Sequence, residues 1–126
     1  MQEAGSLSYP YLEKLCESKH FHAFFAQSDN LIIGGLTIYV LDQYYTEHPL
    51  AYIYDLAVRP QFQRKGIGKE LVTFALNYCQ RHNIRGAFVQ AELMDEDGVE
   101  FYRSTHPDQE LQVVQFYYDL KGSDNS

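Results

Sequence analysis

Tryptophan is absent from this chain, and cysteine and positive charge are scarce. Without Trp, the ring surface of the core and of any cleft must come from 11 Tyr and 8 Phe. The two cysteines, Cys16 and Cys79, have no short spacing, so they suggest neither a disulfide framework nor a zinc site. Both fall among apolar positions of helical stretches and are expected as buried thiols. Lys and Arg number 10 against 17 Asp and Glu, a net charge of −7. That balance argues against a nucleic-acid footprint and favours a cationic partner or substrate. No apolar run approaches the ~20 residues of a membrane-spanning helix. Met1 to Gly5 lacks the basic and apolar regions of a leader, so the expectation is a cytoplasmic protein without a membrane partner. None of the five histidines is spaced with a second ligand type for a metal.

What is present fits one domain of 126 residues. Residues 1–10 read as a flexible tail, 11–120 as the domain and 121–126 as a polar tail. Tyr11 to Lys19 is expected as a short helix, with Leu12, Leu15 and Cys16 on one face. Phe21–Gln27 and Leu31–Leu41 read as strands of a hairpin about the turn Ser28-Asp29-Asn30. Gly34-Gly35 marks a bulge or a close-packing point. Ala51 to Val58 is the next strand, aromatic and β-branched. Ile67, Leu71, Ala75 and Cys79 then recur every fourth residue, which predicts a helix to about Arg81. Arg85–Ala91 is expected as a strand, a short helix should end near Ser104, and the alternation in Leu111–Leu120 predicts a final strand. Strand–helix–strand over 51–91 is a parallel crossover unit. The class is therefore α/β, or α+β by stricter counting: one mixed, twisted sheet with helices on both faces.

The stretch from Val58 to Lys69 organises the rest. Pro60 ends the strand, and Gly66 and Gly68 open the helix. A glycine-rich turn from strand to helix aims several N–H groups outward at the positive end of a helix dipole, an anion site whose usual guest is pyrophosphate. A Walker A loop would need a glycine where Gln63 stands and Ser or Thr where Glu70 stands. A dinucleotide fingerprint would need glycine at Leu71. Both fail, leaving Gln-x-x-Gly-x-Gly at 63–68. That pattern resembles the acetyl-CoA pyrophosphate loop of the GNAT family of N-acetyltransferases.

The resemblance covers roughly residues 11–120. Within the family the chain looks most like the aminoglycoside 3-N-acetyltransferases, on Tyr52-Ile53-Tyr54-Asp55-Leu56-Ala57-Val58, the Gly66-Ile67 step, and Val89-Gln90-Ala91-Glu92 followed by an acidic cluster and Tyr102. It implies acetyl-CoA as cofactor, held by Leu56, Ala57, Val58 and the loop Gln63, Arg64, Lys65, Gly66, Ile67, Gly68 and Lys69. It implies the Leu56 N–H as oxyanion donor, the Val58 backbone as partner of the pantetheine arm, and Tyr102 as proton donor to the leaving thiolate. It also implies a further strand and helix ahead of Tyr11, which this sequence is expected to lack. The family's Lys-Leu-Gly-Phe-like segment is replaced here by Arg103-Ser104-Thr105-His106-Pro107.

Strand alternation puts Tyr52 and Tyr54 on one face as acceptor-binding candidates and Asp55 on the other. Phenols are poor bases at neutral pH, so a carboxylate, Asp55 or Glu92, acting through water is the candidate base. Asp55 as a fixed hydrogen-bond partner within the sheet is the plain alternative. Five carboxylates crowd into 92–100: Glu92, Asp95, Glu96, Asp97 and Glu100. They follow the carboxyl end of a strand, where α/β sheets gather ligands, and suit a cationic small-molecule amine. They equally suit a solvated helix start.

Three functions stay open on the residues alone. One is an acetyl-CoA-dependent N-acetyltransferase for a cationic amine such as an aminoglycoside. The second is an acetyltransferase for another amine, a polyamine or a protein N-terminus. The third is a degenerate module that binds acyl-CoA or a partner without turnover. The uncovered edge of the hairpin at 21–41 further predicts a homodimer.

Overall fold

The computed structural model describes residues 8–121; of the tails expected at 1–10 and 121–126, residues 1–7 and 122–126 lie outside that range, and Tyr9 and Pro10 belong to the first helix instead. Two compact units divide at Glu92/Leu93. The first holds a four-stranded mixed sheet of order β1-β2-β3-β4 with two helices, the second one short helix.

Helix α1 spans Tyr9–Glu17, two residues earlier than expected, because Ser8 caps it and Pro10 sits in its first turn. Proline there loses only an N–H that no helix would use. None of its residues is buried, so Cys16 is exposed, against expectation, whereas Cys79 is buried. Strands β1 (Phe21–Ser28) and β2 (Leu31–Leu41) form the antiparallel hairpin. Asp29 and Asn30 take positive φ at its turn. The ladder shifts between Ala26 and Gln27, beside Gly34. Gly34 is also a close-packing point: a Cβ there would stand 3.2 Å from the Ala57 oxygen and 3.3 Å from Leu71.

Strand β3 (Leu50–Val58) lies antiparallel to β2 and parallel to β4 (Gly86–Val89). Helix α2 (Ile67–Arg81) connects β3 to β4 and buries Leu71, Val72, Ala75 and Cys79. They meet Leu36, Ile38, Ala51 and Ile53 in the core. The fourfold periodicity of these apolar side chains produces that face. Phe24 closes the same layer edge-on to Phe74 and Tyr78, at 5.7 and 5.3 Å. Helix α1 lies on the opposite face, where its Tyr11 acts electrostatically on Tyr39. The α/β class with helices on both faces is what the sequence implies.

In the second unit, α3 spans Glu96–Arg103. Beyond it, Arg103 grips Glu110 through two hydrogen bonds of 3.0 and 2.8 Å. The final strand expected at Leu111–Leu120 does not form: these residues pair in no ladder among the described residues, and Leu111, Phe116 and Leu120 are exposed. Alternation supplies strand propensity, but a strand forms only where a neighbour takes up its hydrogen bonds.

Candidate active site

The central feature is the way β3 parts from β4. Their pairing runs from Leu50↔Gly86 to Ile53↔Val89 and stops, while β3 continues to Val58 against β2 alone. On the β2 side the Arg59 N–H donates to the Ile33 oxygen at 2.8 Å, which makes Ile33/Arg59 a hydrogen-bonded pair. Antiparallel ladders alternate. Gly35/Ala57 and Thr37/Asp55 therefore exchange bonds across the same ladder, and Leu36/Leu56 and Gly34/Val58 do not. The backbone groups of Leu56 and Val58 consequently face away from β2, toward the side where β4 has ended. The Val58 oxygen is met there by Gln63, whose Nε2 donates to it at 2.9 Å. Gln63 braces the strand end with its side chain.

The loop beyond is a 3-10 turn, Pro60–Phe62, followed by residues 63–66. Arg64 and Gly66 take φ of 63° and 84° on either side of Lys65. Such alternation curls successive N–H groups into one concavity. Gly66 is the N-cap of α2, and no neighbouring atom stands within 4 Å of where its Cβ would be. The left-handed backbone, not crowding, is what asks for glycine here. The first N–H groups of α2 have no partner within the helix. Arg64, Lys65 and Lys69 are exposed around them, Lys65 lying 5.4 Å from the Phe62 ring. An edge with outward backbone groups, a concavity of N–H groups and three cations together fit an extended, polyanionic cofactor.

A bulge shapes the acceptor side. Thr37 opposes Asp55 but Ile38 opposes Ile53, so Tyr54 is an extra residue in β3 with no partner on β2. This corrects the expectation that Asp55 lies on the face away from Tyr52 and Tyr54. The extra residue resets the alternation, and Asp55 joins both tyrosines on the face opposite α2. Tyr39, opposite Tyr52 in the ladder, is their hub: its ring lies 5.3 Å from that of Tyr54. Burial, then Tyr54, Tyr11 and Asp55, push the Tyr39 phenol pKa up. Tyr52 stacks on Phe88 at 4.6 Å and donates to the Gln90 side chain at 3.2 Å. Glu92 is exposed beyond the end of β4. Sequence reasoning missed Tyr39, because its place opposite Tyr52 follows from the β2–β3 register and not from local pattern.

The remaining candidates belong to the second unit. Tyr102 lies in the last turn of α3, its ring 5.0 Å from that of Phe101, and its carbonyl accepts the Thr105 hydroxyl at 2.6 Å. Asp95 caps α3, accepting from the Gly98 N–H at 3.1 Å, and Glu96 and Asp97 occupy the first turn. These three carboxylates thus serve a helix N-terminus, where negative charge is favoured. Glu100 helps to raise the pKa of Arg103, after the larger effect of Glu110.

Residues 2–106 match the model of the acetyltransferase (GNAT) family. The chain belongs to the GNAT family. This GNAT acetyltransferase takes its acyl group from acetyl-CoA, the cosubstrate of the family. Among solved structures it is similar to an aminoglycoside acetyltransferase, meta-AAC0020, from an uncultured soil metagenomic sample in complex with trehalose. Identity is 50% and the TM-score 0.89, over 91% of this chain and 76% of that one. The same protein in complex with sisomicin matches at 49% identity and TM-score 0.89, over 91% and 76% of the two chains. The CoA complex of aminoglycoside N-acetyltransferase AAC(6')-Iy shares the fold, at 18% identity and TM-score 0.76, over 86% and 72%. No protein of curated function matches the chain. Among the described residues, no helix is long and apolar enough to cross a membrane.

Proposed function

We propose that this enzyme acetylates a primary amine of an aminoglycoside, at the 3-amino position. The observation that carries the reading is the parting of β3 from β4 beside the αL start of α2. The 50% identity to an aminoglycoside acetyltransferase supports the choice of acceptor.

Acetyl-CoA supplies an acyl thioester. In our reading the N–H groups of residues 64–69 hold its pyrophosphate, and the Val58 N–H holds the pantetheine arm. The amine attacks the carbonyl carbon: a C–N bond forms, the C–S bond breaks, and no acyl-enzyme is needed, because the two reactants are bound side by side. The Leu56 N–H donates to the oxygen as it gains negative charge. Asp55 or Glu92, through a water, takes the amine proton, and Tyr102 donates one to the departing thiolate. Carboxylates at Asp95, Glu96, Asp97 and Glu100 attract the cationic acceptor. We further propose a homodimer that covers the β1 edge, where Phe25 is 65% exposed. A monomeric mass by light scattering at micromolar concentration would remove that part.

Thiol release from acetyl-CoA over a panel of aminoglycosides, polyamines and N-terminal peptides tests the function. Turnover on an aminoglycoside, with the product acetylated at the 3-amino group, is expected. Turnover on a polyamine or peptide alone, or none, overturns it. Gly68→Asp should abolish thermal stabilisation by acetyl-CoA, since the added carboxylate repels pyrophosphate at the helix start.

A further inference from the structure

The chain leaves α3 through Ser104-Thr105-His106-Pro107, residues that stand in place of the family's Lys-Leu-Gly-Phe-like segment. A helix of eight residues that buries none of them holds little geometry of its own. Its last carbonyls have no partner within the helix, yet each of them takes one here. The Glu100 oxygen accepts from the Ser104 N–H at 3.0 Å, and the Arg103 oxygen from the His106 N–H at 3.1 Å. The Phe101 oxygen accepts from the Ser104 N–H at 3.1 Å and from the Ser104 hydroxyl. The Tyr102 oxygen accepts from the Thr105 N–H at 3.1 Å and from the Thr105 hydroxyl at 2.6 Å. His106 then takes φ 59°, the left-handed step on which helices end, most often at glycine.

One backbone N–H on each carbonyl would be enough to stop the helix. The hydroxyls add a second donor at two residues, Phe101 and Tyr102. A carbonyl has two lone pairs, and filling both from Thr105 fixes the peptide plane that follows Tyr102. That plane sets the direction in which the Tyr102 side chain leaves the backbone. The phenol oxygen stands at the far end of a stiff ring, so a small tilt at its Cα displaces it by about 1 Å, and a reacting group misplaced that far can cost about 100-fold in rate. The fork between Arg103 and Glu110 closes the same turn from outside, but both side chains are about half exposed, and a screened surface pair contributes little. The two hydroxyl bonds are half-buried and carry the constraint.

We infer that Thr105, with Ser104 beside it, is a positioning residue for Tyr102: its hydroxyl holds the last turn of α3 so that the phenol stays in register for proton transfer. The inference rests on the role proposed above for Tyr102 as proton donor to the leaving thiolate, while the hydroxyl cap itself does not.

Two measurements test it. Amide hydrogen exchange on the enzyme without ligands reads the cap. The N–H groups of Ser104, Thr105 and His106 should be protected in the wild type and exchange faster in Thr105→Val, which keeps the shape of the side chain and loses the hydroxyl. Equal exchange in the two proteins overturns the cap. Steady-state thiol release with acetyl-CoA and sisomicin, or with whichever amine of the panel turns over, reads the positioning. Thr105→Val should lower kcat about 3–10-fold and leave the KM for acetyl-CoA within about twofold, and Thr105→Ser should restore kcat. Added to Tyr102→Phe, Thr105→Val should lower kcat no further, because no phenol is left to misplace. An equal loss in both backgrounds is what a merely structural turn would give, and it overturns the inference. An unchanged kcat in Thr105→Val beside an impaired Tyr102→Phe overturns it too, and leaves Tyr102 its role. Wild-type kcat in Tyr102→Phe removes that role, and the positioning falls with it. Should Thr105→Val fail to fold, Ser104→Ala is read in the same two backgrounds, with the same outcomes deciding.

Discussion

The side chain of Gln63 donates from Nε2 to the Val58 carbonyl oxygen at 2.9 Å, tying the cofactor loop to the last residue of β3. It occupies the Val58 carbonyl at the strand end and ties that end to the loop proposed to hold the pyrophosphate. Gln63→Ala should weaken acetyl-CoA about 3–10-fold, roughly one hydrogen bond's worth of positioning. Unfolding free energy should fall by about 0.5–1.5 kcal/mol. Calorimetric titration with acetyl-CoA checks the first and urea unfolding the second. An unchanged affinity would mean that the loop keeps its geometry without the brace.

Tyr102→Phe should lower kcat about 10–1000-fold and leave acetyl-CoA affinity nearly unaltered. The phenol is proposed to act on the departing sulfur, which carries charge only as the C–S bond breaks. Its ring contact with Phe101 does not depend on the hydroxyl and survives the substitution. Wild-type turnover in the variant would reduce Tyr102 to a packing ring.

Alkaline pH should destabilise the protein. Burial pushes the Cys79 thiol pKa up, and burial with nearby phenols and Asp55 does the same for Tyr39. Both groups hold their protons longer when folded, so above their unfolded values the unfolded chain binds fewer protons and stability falls as pH rises. The loss begins near the unfolded thiol value of about 8.5, grows past the phenol value of about 10, and ends only above the raised folded values. Urea midpoints at pH 7 and pH 10 measure it, and Cys79→Ala should remove the thiol's share. Cys16, exposed, should react with a thiol reagent at once in the native protein, whereas Cys79, 4% exposed, should wait for unfolding.

Much of this architecture could be read from local pattern. The fourfold repeat of Leu71, Ala75 and Cys79 defined α2, and Asp29-Asn30 marked the hairpin. What resisted was everything that depends on a neighbour. Alternation assigned Asp55 to the wrong face because it assumes an unbroken register, and nothing in Ile53-Tyr54-Asp55 announces an extra residue. Tyr39 went unnoticed because its significance comes from the strand opposite. Leu111–Leu120 has strand propensity but joins no ladder among the described residues, and Cys16 has helical spacing on a helix that buries no residue. The outward backbone groups of Leu56 and Val58 likewise follow from the ladder, not from the residue types.

The acidic cluster offers the sharpest division between a helix start and a substrate trap. Asp95 already accepts from the Gly98 N–H, and Glu96 and Asp97 sit in the first turn of α3, so a stabilising role is secured without any ligand. Attraction of a polycation adds a demand that capping does not: long-range charge, which salt screens within about 10 Å at 0.1 M. If the cluster draws the acceptor, its KM should climb steeply between 0.05 and 0.5 M salt, while kcat holds (both concentrations being roughly half and several times the ~0.1 M reference). Glu96→Lys with Glu100→Lys should raise the KM for sisomicin far more than that for acetyl-CoA. Leaving Asp95 in place keeps the cap, so a loss of acceptor affinity in this pair is not a loss of the helix. Circular dichroism on the same variant confirms that. A KM indifferent both to salt and to the two reversals would return Glu96 and Glu100 to the role of a solvated helix face.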